Sequence, residues 1–542
     1  MSDTANHLSR RTLLRATSAT AAASVAGATF QASAATAAST SSTSAVSAPA
    51  VTAPPAAARL FRELDAKIRA GMARNAIPGA AVGVLYQGIE YIRGYGVTNV
   101  DYPVPVDGDT MFRVGSTTKT FTGTTVMRLV EAGKLDLDAP VRRYLPDFRT
   151  ADPGVARRVT LRELLNHTAG WLGDDVKDDG PGDDAAARYA ADLVRAPQLT
   201  PPGTQFAYNN AAVALAGRVI QVVTGVPYED AVRALLIDPL GLAHSRFFTD
   251  EIVGFNVAAS HLVADGKAVV STDAFRLWRS IDPAGALISS ARDQLRYARF
   301  HLGDGTVPGG GARLLSQQSL LAMRSNPGPG GTLFVELDGV GVNWLLRPSA
   351  EGVRVVQHGG DWAGQHSGFL MVPDRGFAIT LLTNSEGGPN LVDELFTDDW
   401  ALRRFAGISN LPAVPRALSP AQLAPYEGTY TEQVIGPAGD LESGQFELTA
   451  ADGQLVAVAN GTPAARLAFY RPDYVLILGP NGEPTPSRAN FVRGPGGRVD
   501  WVLLGGRLAR HETAATASPD RSASPGGRAR TNPFQRRPLA IG

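Results

Sequence analysis

Strand-forming segments fall in separate parts of this chain, and their distribution restricts the folds open to it. Near the start, AAVGVLY and IEYIRGYG flank a Gln87-Gly88 turn, which predicts a β-hairpin. Further strand signals follow only near residue 380, at VVQHGG, SGFLMVP and FAITLLTNS, and the intervening segments have helical patterns. If these strands share one core, the sheet must combine strands from both ends of this region, with an all-helical insertion between them. The pattern predicts an α/β (α+β) domain over residues 59–410.

A second pattern begins after Pro412. The segments YEGTYTE, QFELTAADGQLVAVANG, ARLAFYRPDYVLILG and RVDWVLLGGRLARHE read as short strands separated by DG, PNG and PGG turns. An all-β module of about 100 residues falls in the size range of small barrels and sandwiches. We therefore predict a small all-β domain, a barrel or a sandwich, over residues 413–513. Residues 514–542, which are rich in Pro, Ser, Gly and Arg, predict a disordered tail.

The first residues carry a pattern typical of export signals. SRRTLLRA precedes a mildly apolar Ala/Ser/Thr segment, and ASA at 32–34 reads as a small-residue cleavage site. This resembles a twin-arginine signal peptide over residues 1–34, followed by a flexible linker over 35–58, with order beginning near Arg59. A disordered leader with accidental paired arginines is the alternative. We expect an exported protein, secreted or held in the periplasm or cell envelope, with no stable membrane span.

Charge and cysteine content exclude several classes of function. The chain has 51 basic and 51 acidic residues and no evident basic stripe, which argues against nucleic acid or an anionic membrane surface as a partner. It has no cysteine, which excludes disulfides, thiolate nucleophiles and Cys-ligated zinc. Its eight histidines are scattered, without a His-Glu-x-x-His pattern. We expect neither a metal nor another cofactor.

The segment FRVGSTTKTF holds Ser116 and, three residues later, Lys119, at the predicted start of a helix. Residues at this spacing lie on one helical face, so the lysine nitrogen can approach the serine oxygen. A serine nucleophile needs such a base and an oxyanion site, which free N–H groups at a helix start can provide. A capping serine followed by an exposed lysine would give the same pattern. Among the five lysines, however, only Lys119 has a serine three residues before it.

Two other short segments hold polar residues that could share a site with Ser116 and Lys119. Tyr208 and Asn210, in YNN, follow the Pro/Gly-rich loop TPPGTQFA and precede a predicted helix. We expect the ammonium of Lys119 to lower the pKa of the phenol, which would let it shuttle protons, and Asn210 to bond both Lys119 and a substrate amide. HGG, His358 to Gly360, ends a predicted strand, where glycines let a substrate backbone approach. A capped helix entry and a turn after a strand are the structural alternatives.

Ser-x-x-Lys, then Tyr-x-Asn about ninety residues later, then a basic residue with Gly-Gly, resemble the motifs of the serine β-lactamase and penicillin-binding-protein superfamily. The Tyr-x-Asn form is similar to the class C-type branch, which includes D,D-peptidases, D-aminopeptidases and β-lactamase-like esterases. LRELLNHTAGW and PAGALISSARDQLRYARF extend the resemblance over roughly residues 60–407. It implies an antiparallel sheet flanked by helices with an all-helical subdomain. The β-rich module resembles the lipocalin-like domains appended to some members, which implies a small all-β barrel as the C-terminal domain.

The resemblance implies roles for individual residues. Ser116 would be the acylated nucleophile, Lys119 its base or electrostatic activator, and Tyr208 the proton shuttle, with water hydrolysing the acyl-enzyme. The groups around the substrate would be the positioning residues Asn210, His358, Gly359 and Gly360, and an oxyanion hole made of the backbone N–H groups of Ser116 and Asp361.

The chain departs from the superfamily pattern at the third motif. Many β-lactamases have a lysine there, whereas the last lysine of this chain is Lys267 and the position is taken by His358. A neutral imidazole attracts a carboxylate less strongly than an ammonium does. We therefore expect ester or peptide substrates to be preferred over β-lactam antibiotics. Arg292 or Arg347 is a candidate replacement for the missing charge.

These features predict a serine hydrolase that acts through an acyl-enzyme on small-molecule or peptide substrates, cell-wall fragments among them. An esterase, a D-amino-acid peptidase and a D,D-carboxypeptidase are the types considered. The alternative is a penicillin-binding or peptidoglycan-sensing module that does not turn over. An α/β-hydrolase esterase is disfavoured because no Gly-x-Ser-x-Gly occurs in the chain.

Two remaining features have structural interpretations. The loop GDDVKDDGPGDD holds six aspartates, but its spacing does not match an EF-hand, so it is predicted to be a solvated surface loop. His167, in LNHTAGW, is expected to shape the wall of the cleft, and Trp171 to line the pocket.

Overall fold

A computed structural model of the chain describes residues 54–275, 277–325, 328–479 and 481–512. The predicted signal peptide, residues 35–53 of the predicted linker and the predicted tail lie outside the described residues. The first helix, Pro55–Arg74, begins inside the segment expected to be linker. Proline is well suited to a first helical position, and Ala57 and Phe61 are already buried against the core.

The central sheet has seven strands and joins distant parts of the chain. The predicted hairpin pairs with a strand from the far end of the domain, where Ala80 lies opposite Thr383. All pairings in this sheet are antiparallel, as predicted. The strand order is Ile89–Gly96, Gly79–Tyr86, Phe377–Thr383, Gln365–Val372, Val355–Trp362, Leu345–Arg347 and Gly339–Val340.

Each face of this sheet covers its own core. Alternate residues of the strand Gly79–Tyr86 point to opposite faces, so Val82 and Val84 pack with the first helix while Leu85 belongs to the core on the other side. On that other side the helix Ala291–Leu302 packs closely over Gly83, where an added Cβ would lie 3.0 Å from a backbone oxygen. The sheet is therefore enclosed between helical layers, which is the predicted α+β arrangement.

The helices mostly lie between the two groups of strands. α-Helices span Pro55–Arg74, Thr118–Glu131, Pro153–Arg158, Leu161–Leu165, Ala185–Asp192, Asn210–Thr224, Tyr228–Val232, Asp238–Leu240, Asp282–Gly285, Ala291–Leu302, Gln317–Ala322, Gly388–Val392 and Pro420–Leu423. Short strand pairs join Met111–Arg113 with Ile288–Ser290, His261–Ala264 with Lys267–Val270, and Gly331–Leu333 with Val335–Leu337.

The segment NLVDELFTDDWALRRFAG has a helical sequence pattern, but it does not form one continuous helix. Helix Gly388–Val392 continues as a π-helical segment, Asp393–Thr397, and the chain then breaks before a second π-helical segment, Leu402–Ala406. Asp399, at the break, has a φ of +53°, and its carboxylate accepts a hydrogen bond from the backbone N–H of Asn410 at 2.6 Å. The side chain thus stabilises a bend that the helical pattern did not reveal.

The C-terminal module is a closed barrel of eight antiparallel strands, as predicted. Its interior is filled by buried aromatic and aliphatic side chains, among them Tyr430, Phe446 and Phe491. This barrel is therefore a packed core. Its strands are Gly428–Ile435, Leu441–Ala451, Gln454–Ala459, Thr462–Arg471, Tyr474–Leu478, Pro484–Arg493, Val499–Leu504 and Arg507–His511.

The barrel packs directly on the α+β domain. Leu503 and Leu508 of the barrel form a buried apolar cluster with Phe206, Val335 and Leu337. Backbone hydrogen bonds extend this contact, because the N–H of Arg488 donates to the carbonyl of Phe334 at 2.9 Å.

A buried ionic group crosses the same interface. Glu336 accepts hydrogen bonds from Arg488 at 2.6 Å and from the hydroxyl of Tyr470 at 2.9 Å, and it also pairs with Arg471. The side chains of Glu336 and Arg488 are 7% and 8% exposed. A buried charge that loses its partner is costly, so this pair fixes how the two parts fit together.

No single helix in the described part of the chain has the length and apolar character needed to cross a membrane. Two consecutive helices, Asn210–Thr224 and Tyr228–Leu240, meet the requirement together, but the chain bends by 77° between them.

Replacing Glu336 by Ala is expected to lower the free energy of unfolding by about 3 kcal/mol, because it leaves Arg488 buried without its counter-ion. Urea denaturation followed by tryptophan fluorescence measures the change. Asp338→Ala is the matched control, since Asp338 pairs with Arg354 at the surface and its loss should change stability by about 0.5 kcal/mol or less. Equal effects of the two substitutions would contradict a structural role for the buried pair.

Candidate active site

Ser116 lies in a tight turn at the start of a buried helix. The turn Gly115–Thr117 is a 3₁₀ segment that leads into the helix Thr118–Glu131. The hydroxyl of Ser367, on a central strand, donates to the carbonyl of Val114 at 2.8 Å and fixes the turn against the sheet. Ser116 is therefore held at the junction of helix and sheet.

Lys119 is fully buried and lies beside this serine. Its Nζ is 3.0 Å from Ser116 Oγ and 2.6 Å from the carbonyl oxygen of Ala284, with which it forms hydrogen bonds. Burial lowers the pKa of Lys119 well below its usual value, and the nearby guanidinium of Arg507 lowers it further, while Asp174 opposes the shift. An uncharged amine next to the hydroxyl can accept its proton.

Tyr208 reaches the same serine from another part of the chain. Its phenol hydrogen-bonds to Ser116, and Lys119 Nζ lies 5.0 Å from the centre of its ring. The expected lowering of the Tyr208 pKa was wrong. Burial raises that pKa, and the bond to Ser116 and the charge of Arg507 offset the rise only in part. Tyr208 therefore stays protonated and can donate a hydrogen bond.

Consecutive backbone N–H groups fix the position of Tyr208. The N–H of Ala207 donates to the carbonyl of His167 at 3.0 Å, and the N–H of Tyr208 to the carbonyl of Gly506 at 2.7 Å. The N–H of Asn209 then donates to Nδ1 of His167 at 3.0 Å. One of these three acceptors comes from the barrel, so the barrel helps to build the site.

His167 contacts Tyr208 through its ring as well. The two rings are stacked at 4.5 Å between centroids, and His167 is fully buried with a φ of +60°. Burial lowers the pKa of His167, and Lys119 lowers it further whenever its amine is charged, so the ring is neutral. The expectation that His167 only shapes the cleft wall missed these bonds, which the sequence does not show.

The two backbone N–H groups predicted for the oxyanion site, those of Ser116 and Asp361, lie on segments that approach each other closely. An added Cβ on Gly360 would lie 2.6 Å from the backbone nitrogen of Ser116, and one on Gly115 would lie 2.9 Å from that of Asp361. Gly115 also has a φ of +50°, which glycine adopts at little cost. Glycines at these positions thus allow the nucleophile turn and the strand to approach closely. The N–H groups of Ser116 and Asp361 lie on either side of this contact.

His358 lies in the strand Val355–Trp362, next to the same cleft. Its Nδ1 is 2.7 Å from the carbonyl oxygen of Gly359, and its ring centre is 6.1 Å from that of Tyr208. Burial and the nearby Lys119 lower the pKa of His358 to about 3. His358 is therefore neutral at physiological pH and cannot replace the charge of the missing lysine.

Asn210 does not make the contact expected of it. It was predicted to bond Lys119, but its Nδ2 donates to Asp174 Oδ1 at 2.7 Å. Asp174 in turn pairs with Arg507, whose Nε lies 3.0 Å from Asp174 Oδ2. Asn210 is the first residue of the helix Asn210–Thr224, which orients its side chain toward the loop that carries Asp174.

Arg507 is a positively charged residue at the site that sequence analysis did not identify. Its guanidinium lies 4.8 Å from the ring centre of Tyr208, whereas Arg292 pairs with Asp109 at the surface. Arg347 lines the cleft, but its guanidinium donates to the carbonyl of Phe396 and to neighbouring acceptors. Arg507 lies in the barrel, far from the other motifs in sequence. The Gly505-Gly506 turn before it was the only local signal of a close backbone approach.

The aspartate-rich loop is part of this arrangement, so its prediction as a solvated surface loop was wrong. The N–H of Val176 donates to the carbonyl of Ile435, and the N–H of Ile435 donates to the carbonyl of Asp174. Asp175 and Asp179 are buried. The loop is therefore ordered by contact with the barrel. Within the described part of the chain, no group of three or more His, Asp or Glu side chains could hold a metal ion.

All these groups open into one large cleft between the α+β domain and the barrel. The cleft has a volume of about 980 Å³. The predicted site residues Ser116, Tyr208, Asn210, His358, Gly359, Gly360 and Asp361 line it, whereas Lys119 lies behind Ser116 and Trp171 does not line it. The arrangement provides a hydroxyl, a buried amine, a phenol and two backbone donors around one accessible position, which suits acyl transfer.

Several known proteins are similar to this chain in sequence or fold. Penicillin-binding protein 4 of Amycolatopsis lactamdurans is 37% identical over 369 residues, which cover 67% of this chain and 95% of that protein. The crystal structure of SurE, also solved with D-Leu, is 28% identical, covers 84% of this chain and all of that one, and has a TM-score of 0.65. A class C β-lactamase with 23% identity, covering 63% of this chain and 96% of its own, shares the fold with a TM-score of 0.52.

The family model described as Beta-lactamase matches residues 64–402, which is more than half of the chain and contains every predicted site residue. These residues include the buried amine, the phenol and the strand that provides the second backbone donor. The chain therefore belongs to the beta-lactamase family and is a penicillin-binding-protein-like serine hydrolase.

Proposed function

We propose that this protein is an exported serine hydrolase that acts through an acyl-enzyme formed on Ser116. The single observation that carries the proposal is the 3.0 Å contact between Ser116 Oγ and the buried Nζ of Lys119. Export follows from the twin-arginine pattern at the start of the sequence. The substrates are esters, amides or peptides, as for an esterase, a D-amino-acid peptidase or a D,D-carboxypeptidase.

The first half of the reaction forms the acyl-enzyme. Ser116 Oγ attacks the substrate carbonyl carbon while its proton passes to the neutral amine of Lys119. The negative charge that develops on the carbonyl oxygen is stabilised by the N–H groups of Ser116 and Asp361. When the carbonyl re-forms, the bond to the leaving group breaks. The leaving group takes the phenol proton of Tyr208, which the ammonium of Lys119 replaces.

The second half returns the enzyme to its starting state. A water molecule loses a proton to the neutral Lys119 and attacks the acyl carbon, and the N–H groups of Ser116 and Asp361 again stabilise the oxyanion. The ester bond to Ser116 breaks as its oxygen regains a proton from the Lys119 ammonium. The net reaction adds one water to the substrate, and every proton taken by Lys119 is returned.

The site favours substrates without a carboxylate at the third-motif position. His358 is neutral at physiological pH, and Arg507 is already paired with Asp174. A β-lactam carboxylate would therefore find little compensation for its lost hydration. The structure of SurE with D-Leu also directs attention to D-configured residues in the substrate of this chain.

A second candidate function is a penicillin-binding or sensing module that becomes acylated without turning over. The name of the relative with 37% identity, Penicillin-binding protein 4, favours it. Burst kinetics distinguish the two functions. A sensor releases one equivalent of leaving group and stops, whereas a hydrolase continues to release it.

Hydrolysis of a p-nitrophenyl ester is expected to have a higher kcat/KM than hydrolysis of nitrocefin, because nitrocefin carries a carboxylate. Ser116→Ala should lower the ester rate at least about a thousandfold and abolish labelling by a fluorophosphonate, which mass spectrometry locates. Ser280→Ala, at a buried serine outside the cleft, is the control. Efficient nitrocefin turnover that depends on Ser116 would overturn the expected preference. An adduct on another residue would contradict the assignment of Ser116 as the nucleophile.

The pH dependence of kcat/KM should follow the pKa of Lys119, since its neutral form is the base. Activity is expected to rise with pH along an acid limb centred well below the ordinary lysine value. Arg507→Gln removes a charge that lowers this pKa and should move the limb to higher pH, whereas Asp174→Asn should move it to lower pH. Arg510→Gln, on the same strand but stacked on Trp501, is the matched control. Shifts of Arg507→Gln and Asp174→Asn in the same direction would refute this assignment.

Loss of the His167 acceptor should reduce kcat with little change in KM, because the N–H of Asn209 then lacks a partner and Tyr208 is displaced. His167→Phe keeps an aromatic ring but loses the acceptor, and kcat should fall about a hundredfold. Asparagine tolerates a positive φ and supplies an oxygen, so His167→Asn should retain more activity. His301→Phe, at a buried histidine packed on Trp344, should affect stability rather than kcat. Wild-type kcat in His167→Phe would contradict this positioning role.

A further inference from the structure

The lining of the cleft is acidic, although the chain as a whole has no net charge. Eight carboxylate side chains line the cleft, against two arginines and the neutral His358. Both arginines are engaged, Arg507 with Asp174 and Arg347 with backbone carbonyls. Among the carboxylates, Glu394 is balanced by Lys67 and a second cation. The remaining lining still carries an excess of negative charge.

The acidic side chains lie on both walls of the cleft. Glu386 belongs to the wall formed by the α+β domain, where its carboxylate accepts a hydrogen bond from the backbone N–H of Val263. Glu432 and Glu442 belong to adjacent barrel strands, in which Val434 lies opposite Glu442. Glu432 and Val434 are two residues apart, so both glutamates share one face of the barrel. Arg507 interacts electrostatically with Glu432, but the lining as a whole holds eight carboxylates against two arginines.

Two buried acceptor atoms on residues that line the cleft independently favour a ligand that carries hydrogen-bond donors. A carbonyl oxygen can only accept, so Nδ1 of His358 must carry the proton that it shares with Gly359. The neutral ring then presents Nε2 as an acceptor, and this atom is buried without a partner. Asn210 donates its Nδ2 to Asp174, which leaves its buried Oδ1 as a second acceptor without a partner.

We infer that this cleft selects substrates that carry a positively charged amino group and rejects substrates that carry a carboxylate. The inference rests on the proposed function, because it specifies which ester or peptide substrates the same site accepts. An ammonium group supplies the N–H donors that Asn210 and His358 lack, and its charge is attracted by the carboxylates of both walls. A carboxylate would meet acceptors and negative charge instead. The lining carboxylates include no metal-binding group among the described residues, so an organic cation is the ligand class that fits.

The test compares p-nitrophenyl esters whose acyl chains are matched in size. Esters of 6-aminohexanoic, heptanoic and adipic acid end in an ammonium, a methyl and a carboxylate group. We expect kcat/KM to fall in that order, with at least about a fivefold difference between the first two at low ionic strength. Raising the salt concentration should reduce this ratio, because salt screens charges near solvent. Equal kcat/KM values for the three esters would overturn the inference and leave the proposed function standing.

Variants that remove negative charges test whether the cleft carboxylates cause the preference for the ammonium ester. The triple variant Glu386→Gln, Glu432→Gln and Glu442→Gln should bring the ratio for the ammonium and methyl esters close to one. The matched control replaces three acidic residues that do not line the cleft, as Glu90→Gln, Glu447→Gln and Asp452→Asn. The control should keep the ratio of the wild-type protein. An unchanged ratio in the cleft variant, or an equal loss in the control, would refute the role of the cleft carboxylates.

Binding to the inactive Ser116→Ala protein separates this inference from the proposed function. Isothermal titration calorimetry with hexane-1,6-diamine should show binding that weakens in the cleft variant and at high salt, and adipate should show none. If no ester is hydrolysed but the diamine binds in this way, the hydrolase proposal fails and the selectivity stands. Absence of diamine binding, together with equal kcat/KM values for the three esters, would refute the selectivity for a positively charged amino group.

Discussion

The arrangement depends on one unusual constraint, which is a lysine side chain held away from water. Lys119 lies in a helix that is buried on nearly every side, and its nitrogen bonds to Ser116 and to the carbonyl of Ala284. In water this amine would be charged, and only the surrounding fold makes the neutral form accessible. The packing of the helical insertion around the helix Thr118–Glu131 is therefore also what prepares the serine for reaction.

The second requirement is that distant segments meet at this amine. The strand with His358 presents a glycine to the turn of Ser116, and His167 holds the backbone on both sides of Tyr208. The barrel adds a carbonyl and a guanidinium at the same point. Because these groups lie on different elements, the site exists only when sheet, helical insertion and barrel are packed together.

Sequence analysis predicted the parts of the molecule that depend on local patterns. The hairpin, the strands near residue 380 and the barrel follow from periodicity and turns, and the contact of Ser116 with Lys119 follows from helical spacing. It did not predict the pKa direction of Tyr208, because burial outweighs a neighbouring charge. Nor did it predict Arg507, because its position depends on how the barrel packs. The partner of Asn210 was missed because Asp174 lies in a loop whose position depends on long-range contacts, including backbone hydrogen bonds to the barrel.

The bond from Tyr208 to the carbonyl of Gly506 has a consequence for synthesis of the chain. The ribosome produces Ser116, Lys119 and Tyr208 long before it produces the last hairpin of the barrel. For much of translation the nascent polypeptide therefore contains Ser116 but lacks the barrel hairpin whose Gly506 carbonyl binds the N–H of Tyr208. The backbone of Tyr208 can therefore reach its final position only after the last hairpin of the barrel has been made and folded.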